Sequence, residues 1–531
     1  MNTWQRAACA ALLALPVITL AQGAQEEEKG DEEIVVLGRA INTTATRIEV
    51  EREMLVDTAT ALKDIPGANV NRNGLITGIA QYRGMFGDRV TVGIDDIGVI
   101  SGGPNAMDTP LSYMSPMITE ELIVDRGIAS VSRAPESIGG YMNTRLARGD
   151  FSSNRFDVSG TIGTRFADNG DVSTTAGRLT AATDTHRVSL VTEIDTGNDL
   201  ATPEGKIRPS GLRRDRYDLS YAFGGEDTQF MVYGGRLDTT DTGTPALPMD
   251  IRYIETDMTG LQFATRVSES VGIEARYSYN DVEHLMDNFT LRGAPMPPMF
   301  RQNLATGSGS QYSLAGVFDL ADAELRIGLD GIMADHDSVI TNPNSAAFQV
   351  NNFTDVQRDV TGVFAEWTRD MGESDIELGL RFKRVDTNAG EVGATGMPDP
   401  MGTNVGILAD AFNAARRDLS WNTIDAVFKF RADLSDNTEW IIELGSKTRA
   451  PSYQELYLWL PLQATGGLAD GRTYIGDLTL DEERSNEIVL GLTSDIGSLS
   501  LSPQVFYRDV ADYIQGIPST NMVANLSLIH I

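Results

Sequence analysis

From residue 156 onward the chain is written in period two. FDVSGTIGT (156–164), RVSLVTEI (187–194), YDLSYAF (217–223), QFMVYGG (229–235), IEARYSY (273–279), IELGLRF (376–382), IDAVFKF (424–430) and IVLGLT (488–493) share one pattern. Apolar or aromatic side chains fall on one face of an extended strand, polar or small ones on the other. Turn chemistry such as DNG at 168–170 separates several of them. About fifteen such segments can be counted, each near the ten residues that a bilayer-spanning strand needs. After the leader no stretch approaches the roughly 18 consecutive apolar residues of a helical span. A soluble β-sandwich or propeller alternates too. A wall with lipid on one side and a wet lumen on the other fits the pattern and the strand number.

The leader decides between them. Arg6 is followed by an apolar run at 7–20 and then by the small residues Ala21, Gly23 and Ala24, the order of a secretory signal peptide. A single N-terminal anchor is the alternative, but the run is short for one. The only cysteine, Cys9, lies within it, so the mature fold is built without disulfides. A formal charge of -32 leaves no basic stripe for phosphates and argues against a nucleic-acid partner. The expected fold is therefore an all-β, antiparallel, up-and-down transmembrane barrel in the outer membrane of a Gram-negative bacterium.

Residues 58–148 read differently, with short helices, short strands and glycine turns, as an α+β domain ahead of the barrel at 149–531. The signal occupies 1–24, and 25–57 is an acidic linker ending in the β-prone stretch EIVVLG at 33–38. That stretch is either a loose edge strand or a peptide offered to a partner's sheet.

The order of these parts resembles a TonB-dependent outer-membrane receptor. The small domain resembles that family's plug through ALKDIPGANV (61–70), YRG (82–84), DRVTVGIDD (88–96), ELIVDRG (121–127) and SIGGYMN (137–143). RAPSYQELY (449–457) and LDEERSNEI (480–488) resemble late barrel strands. The resemblance implies a plug inside the barrel and active import. TonB, with its inner-membrane energising complex, would pair with Ile34, Val35, Val36 and Leu37. Arg83 and Arg126 match plug arginines that face barrel carboxylates, for which Glu443 and Glu487 are the candidates; ordinary hydrogen bonding at plug turns is the alternative. Where the family follows its Arg-Gly with proline, this chain has Ile128.

Within the family, PNAMDTPLSY (104–113) and HLMDNFTLR (284–292) resemble the copper-receptor subset. Met107, His284 and Met286 are then the metal ligands, with Met296 and Met299 in GAPMPPM (293–299) as accessory ones. Thioether sulfur suits Cu(I), and imidazole serves either oxidation state. His284 and Met286, at i and i+2, share a side in an extended chain. The subset often has cysteine where this chain has Gly103, and loss of a thiolate removes the strongest soft ligand. Met114 and Met117 read as core packing. Copper is expected as cargo rather than as a permanent cofactor. No HExxH, phosphate loop or nucleophile triad suggests an enzyme. The alternatives are a receptor for chelated iron, a vitamin or a saccharide, and, from another class, a passive channel or adhesive barrel. The receptor is expected to be a monomer in outer-membrane lipid.

Large outer-membrane transporters close with 22 strands and even counts. About fifteen strands, and a chain stopping at NLSLIHI (525–531) without a terminal aromatic residue, lead to the expectation of an incomplete barrel with a gapped wall.

Overall fold

The computed structural model describes residues 45–48, 57–103, 108–133, 135–153, 155–397, 401–462, 472–497, 499–520 and 523–524. The leader, the hexamer with Ile34 to Leu37, and Met107 lie outside the described residues.

The N-terminal domain holds two small sheets. One has three strands, Ala68–Arg72, Gly78–Tyr82 and Met85–Phe86. The other runs in the order Ala45–Ile48, Thr119–Asp125, Gly140–Leu146, Val90–Ile94 and Ile97–Gly98, with Val90–Ile94 parallel to Gly140–Leu146. The strand Ala45–Ile48 falls in the stretch read above as linker and adds an edge to this sheet. Leu62, Leu122, Val124 and Met142 form the dry centre between the sheets and a 3-10 turn at Thr58–Asp64. Asp57 caps that turn by accepting from Thr60 N at 2.8 Å.

Around this domain stand fifteen antiparallel strands, counted among the described residues. They are β1 (Asp157–Ala167), β2 (Val172–Ala182), β3 (His186–Gly197), β4 (Leu212–Gly224), β5 (Thr228–Thr242), β6 (Asp250–Ser268), β7 (Val271–Asp287) and β8 (Gln302–Leu320). There follow β9 (Ala323–Asn342), β10 (Ser345–Asp370), β11 (Ser374–Asn388), β12 (Leu419–Ser435), β13 (Thr438–Arg449), β14 (Glu483–Ile496) and the interrupted β15 (Leu499–Leu501 with Gln504–Ala511). Two helices, α1 (Met401–Ala414) and α2 (Tyr453–Tyr457), sit in the connections on either side of β12 and β13.

The burial pattern is inside out. Along β11, Leu378, Leu380 and Phe382 are exposed, while Glu377, Arg381 and Lys383, on the opposite face, are buried. β14 repeats it, with Ile488, Leu490 and Leu492 outward and Glu483, Ser485 and Glu487 inward. Such a wall is stable where the outer medium is hydrocarbon and the lumen is filled by polar protein. No helix among the described residues is long and apolar enough to cross a membrane.

Ladders join each strand to the next from β1 to β15, but among the described residues none joins β15 to β1, although the two are neighbours in the strand order, so the expected gap in the wall falls between them. With an odd number of strands, β1 and β15 point the same way. The seam is the thinnest part of the wall: Val158, Ile162 and Phe166 on one side and Val505 and Tyr507 on the other remain exposed, and so do Ser159 and Thr161 on the inner face of β1.

Candidate functional site

Among the contacts of the plug with the wall, which include Arg89 with Glu483 and Arg214 with Ser112 O, two seams differ in kind. The first begins at a tight turn where Asp95 and Asp96 both take positive φ (51° and 62°), the geometry of a hairpin turn that short acidic side chains tolerate. The chain then runs along the wall, held chiefly by neutral side chains, with Arg276 on β7 3.8 Å from Asp96 at its start. Gln262 on β6 donates to Asp95 O at 2.9 Å, and Gln311 on β8 accepts from Gly98 N at 2.9 Å. Asn280 on β7 pairs with both backbone groups of Ile100, at 3.0 and 2.8 Å. Beyond it Asp108 gathers the loop. It accepts from Ser101 Oγ (2.7 Å), Gly102 N (2.6 Å), Gly103 N (3.1 Å) and the Tyr113 hydroxyl (3.2 Å). Burial and the Asp108 charge push the Tyr113 hydroxyl well above its ordinary pKa, so it remains a donor.

This loop arrives beside His284 and Met286. Both are fully buried on β7, and their partners on β8, Ala305 and Asn303, show that they share a face. Neither ring nitrogen of His284 has a hydrogen-bond partner. Its Nδ1 lies 3.9 Å from Asp108 Oδ1. A Cβ at position 103 would fall 2.6 Å from that Nδ1 and 2.9 Å from the carboxylate, so the glycine is what admits the ring and Asp108 together. Met286 packs with Ile251, Ile254 and Val282, its sulfur 4.0 Å from Asn303 Nδ2. A buried imidazole with two idle nitrogens is costly unless something binds there.

The second seam is charged. Tyr82, Arg83 and Gly84 form a hairpin turn with φ of 47° at Arg83 and 80° at Gly84. The turn aims Arg83 at the wall, where it reaches Glu487 (3.3 Å) and Gln504 (2.7 Å) and also donates to Arg126 O. From there the plug backbone passes from one wall charge to the next. Ile128 N donates to Glu443 (2.6 Å), Ala129 O accepts from Lys447 (3.1 Å), and Ser130 Oγ accepts from Lys429 (2.7 Å). Val131 O accepts from Arg381 (2.7 Å), Ser132 N and Oγ donate to Glu366 (3.2 and 3.0 Å), and Glu136 accepts from Arg358 (2.7 and 2.9 Å).

The expected residues are thus distributed as follows. Arg83 and Glu487 meet, but Arg126 does not take Glu443; its guanidinium donates to Ser502 O at 3.2 Å, and Glu443 serves the Ile128 amide. The carboxylate is occupied instead by a backbone donor two residues on. His284 and Met286 adjoin the plug loop, whereas Met296 and Met299 are 69% and 53% exposed on their own loop and are not gathered with them. Met114 is buried among Ile94, Tyr113 and Ile118, with Met117 against the same cluster. Among the described residues no group of three His, Cys, Asp or Glu side chains is placed to hold a metal, so any soft site depends on thioethers. Sequence reading missed Asp108 and the wall amides. One signal was present: the run ATGSGS at 305–310, whose small residues in a strand mark the close approach of another backbone.

The sequence matches the family model for the TonB-dependent receptor plug domain over residues 39–141 and that for the TonB-dependent receptor-like β-barrel over 138–527. Among solved structures it is similar to the copper transporter OprC (TM-score 0.75, 22% identity, 88% of this chain and 72% of that one). It is also similar to the FrpB iron transporter from Neisseria meningitidis (TM-score 0.66, 14% identity, 91% and 74%). A third likeness is to the ferric citrate transporter FecA (TM-score 0.61, 14% identity, 88% and 69%). At these identities the likeness speaks to the fold. A search of curated proteins finds no match.

Proposed function

The chain belongs to the TonB-dependent receptors of the Gram-negative outer membrane, and from that premise we propose that the cargo it imports is copper, as the ion or a small complex. The observation that carries this reading is the fully buried His284, both of whose nitrogens lack partners, beside Met286 and under the plug loop. A nitrogen and a thioether on one face form a soft pair suited to copper and poorly suited to a hard, oxygen-rich ferric chelate. Met107 would supply a second sulfur from the plug, so the ion would be held only while plug and barrel are together. The similarity to a copper transporter supports the reading; the similarity to iron transporters keeps a chelated metal as the alternative.

In mechanism, copper arrives at the outer face and exchanges water for imidazole and thioether. TonB pairs with residues 34–37, as an added strand whose main-chain hydrogen bonds bear the load. The pull shifts the plug and parts the two halves of the site. We assign the receptor as a monomer in outer-membrane lipid, a transporter rather than an enzyme.

The test has two arms. Val35→Pro removes an amide donor from the pairing strand, so copper uptake should fall to background while copper bound at the cell surface is unchanged. The double variant H284A/M286A should lose nearly all bound copper, and Met107→Ala a large part of it. Equal copper content in wild type and double variant would transfer the cargo to the chelated class. Unchanged uptake in V35P would remove energy coupling through residues 34–37.

A further inference from the structure

We infer that His336 is a second copper ligand, a separate station on the inner wall two strands from His284. The inference rests on the copper reading above and adds to it a residue that the motif resemblance does not reach.

His336 lies on β9 and is 8% exposed. Its Nε2 is 3.1 Å from Ser101 O. A carbonyl oxygen only accepts, so Nε2 carries the hydrogen and Nδ1 is left with a lone pair. That Nδ1 is buried and has no hydrogen-bond partner. One ring nitrogen tied to a backbone carbonyl, with the other bare, is how proteins prepare a histidine to bind metal: the tie fixes tautomer and ring orientation. The ring is steadied further by Tyr453 of α2, stacked at 4.2 Å between centroids, with Phe353 edge-on against that tyrosine at 5.2 Å.

The strand between the two histidines explains how they share one plug segment. On β8, Ala305 is opposite His284 and Gly307 is opposite His336. A Cβ at Gly307 would lie 2.6 Å from Ser101 O and 3.0 Å from Gly102 Cα. The plug backbone therefore rests directly on β8, with His284 at one flank and His336 at the other. Two strand spacings across and two residues along place the histidine backbones about 10 Å apart in one direction and about 7 Å in the other. Metal–imidazole bonds are about 2 Å long, so these are two stations and not one shared site. Asp108, whose Oδ1 lies 3.9 Å from His284 Nδ1, is the carboxylate of the plug segment that lies between them. Imidazole accepts copper in either oxidation state, so an ion leaving the thioether site has a nitrogen to go to while Ser101 is still in place.

A histidine that merely braces the plug would need only its Nε2–H. H336Q keeps an amide donor at that position and deletes the Nδ1 lone pair, so it separates the two roles. The full-length protein in detergent, titrated with Ag(I) as a stand-in for Cu(I) and with Cu(II), should bind two equivalents, the second at least about tenfold more weakly. H336Q should keep the tight equivalent and lose the weak one, H284A/M286A should do the reverse, and the combined variant should bind neither. Two equivalents persisting in H336Q, or one equivalent in wild type that H336Q leaves alone, would overturn the station while sparing the copper reading. A wild-type protein that binds neither ion would overturn both.

Discussion

The two seams between plug and wall use different chemistry. Along residues 95–103 the wall offers chiefly amides and an imidazole, Gln262, Asn280, Gln311 and His336, with Arg276 at 3.8 Å from the partly exposed Asp96. Along residues 128–136 it offers Glu443, Lys447, Lys429, Arg381, Glu366 and Arg358. A neutral hydrogen bond contributes about 0.5–1.5 kcal/mol net, and one to a charged group about 1.5–3 kcal/mol. The plug is therefore fastened firmly on one side and lightly on the other, and the idle imidazole nitrogens lie on the light side. A contact that must release cargo belongs where the bonds are weak and numerous. One that must keep the plug in register belongs where they are strong, even though buried charges add little net stability.

The sharpest way to break this contrast is to add one methyl group to each seam. In Gly307→Ala the new carbon meets plug backbone, Ser101 O and Gly102 Cα, which cannot swing aside. The loop must lift off β8, and copper affinity measured by calorimetry should fall at least about tenfold. In Gly127→Ala the obstructing atoms are the ends of the Glu443 carboxylate, which can rotate away. Copper affinity there should stay within about twofold, while the Ile128 amide loses its partner and protease protection of residues 126–133 weakens. Equal losses of copper at both glycines would erase the distinction between the seams.

A smaller effect sharpens the same point. Glu443→Ala should lower the free energy of plug release by about 1.5–3 kcal/mol, and Gln311→Ala by about 0.5–1.5 kcal/mol. Plug release is read from the urea dependence of cleavage within the plug. The reverse order would mean that the charged seam is held by packing, for example Ile128 and Val131 against Val427 and Val489.

What the sequence discloses divides along similar lines. Alternation makes the wall legible, because period two in a strand is a local property of side-chain direction, and β11 or β14 can be read from a dozen residues. Family motifs disclose the plug and the pair His284 and Met286. The gap between β15 and β1 is legible only by counting strands, since closure depends on strand tilt and stagger summed around the ring. Partner choice is not legible either. Arg126 and Glu443 are 317 positions apart (443 minus 126), and nothing local says that Ile128 N will reach the carboxylate first. His336 stands alone in its segment with no motif around it, and its significance comes only from the plug carbonyl that β8 lets approach.

The smallest expected effect concerns pH and separates the seams without touching cargo. Glu136 is a plug carboxylate on the firm seam. Burial would push its carboxyl up, but the Arg358 guanidinium, bonded through both nitrogens, with Lys383 and the Ala450 amide, holds it below the ordinary carboxylate value. A carboxyl whose folded value is depressed contributes stability that is present above its unfolded value, about 4.3, and is lost as pH falls through the lower folded value. Docking of residues 126–136 should thus be constant from neutral pH down to about 4.5 and weaken only under stronger acid. In Glu136→Gln the weakening should be shallower, because the group that takes up the proton is gone, and the two proteins should converge at the acid end. The amide pairs at Gly98 and Ile100 have no such group, so their exchange protection should follow the global acid response without the extra step. An acid step that is the same in wild type and Glu136→Gln would show that Glu136 is not its source.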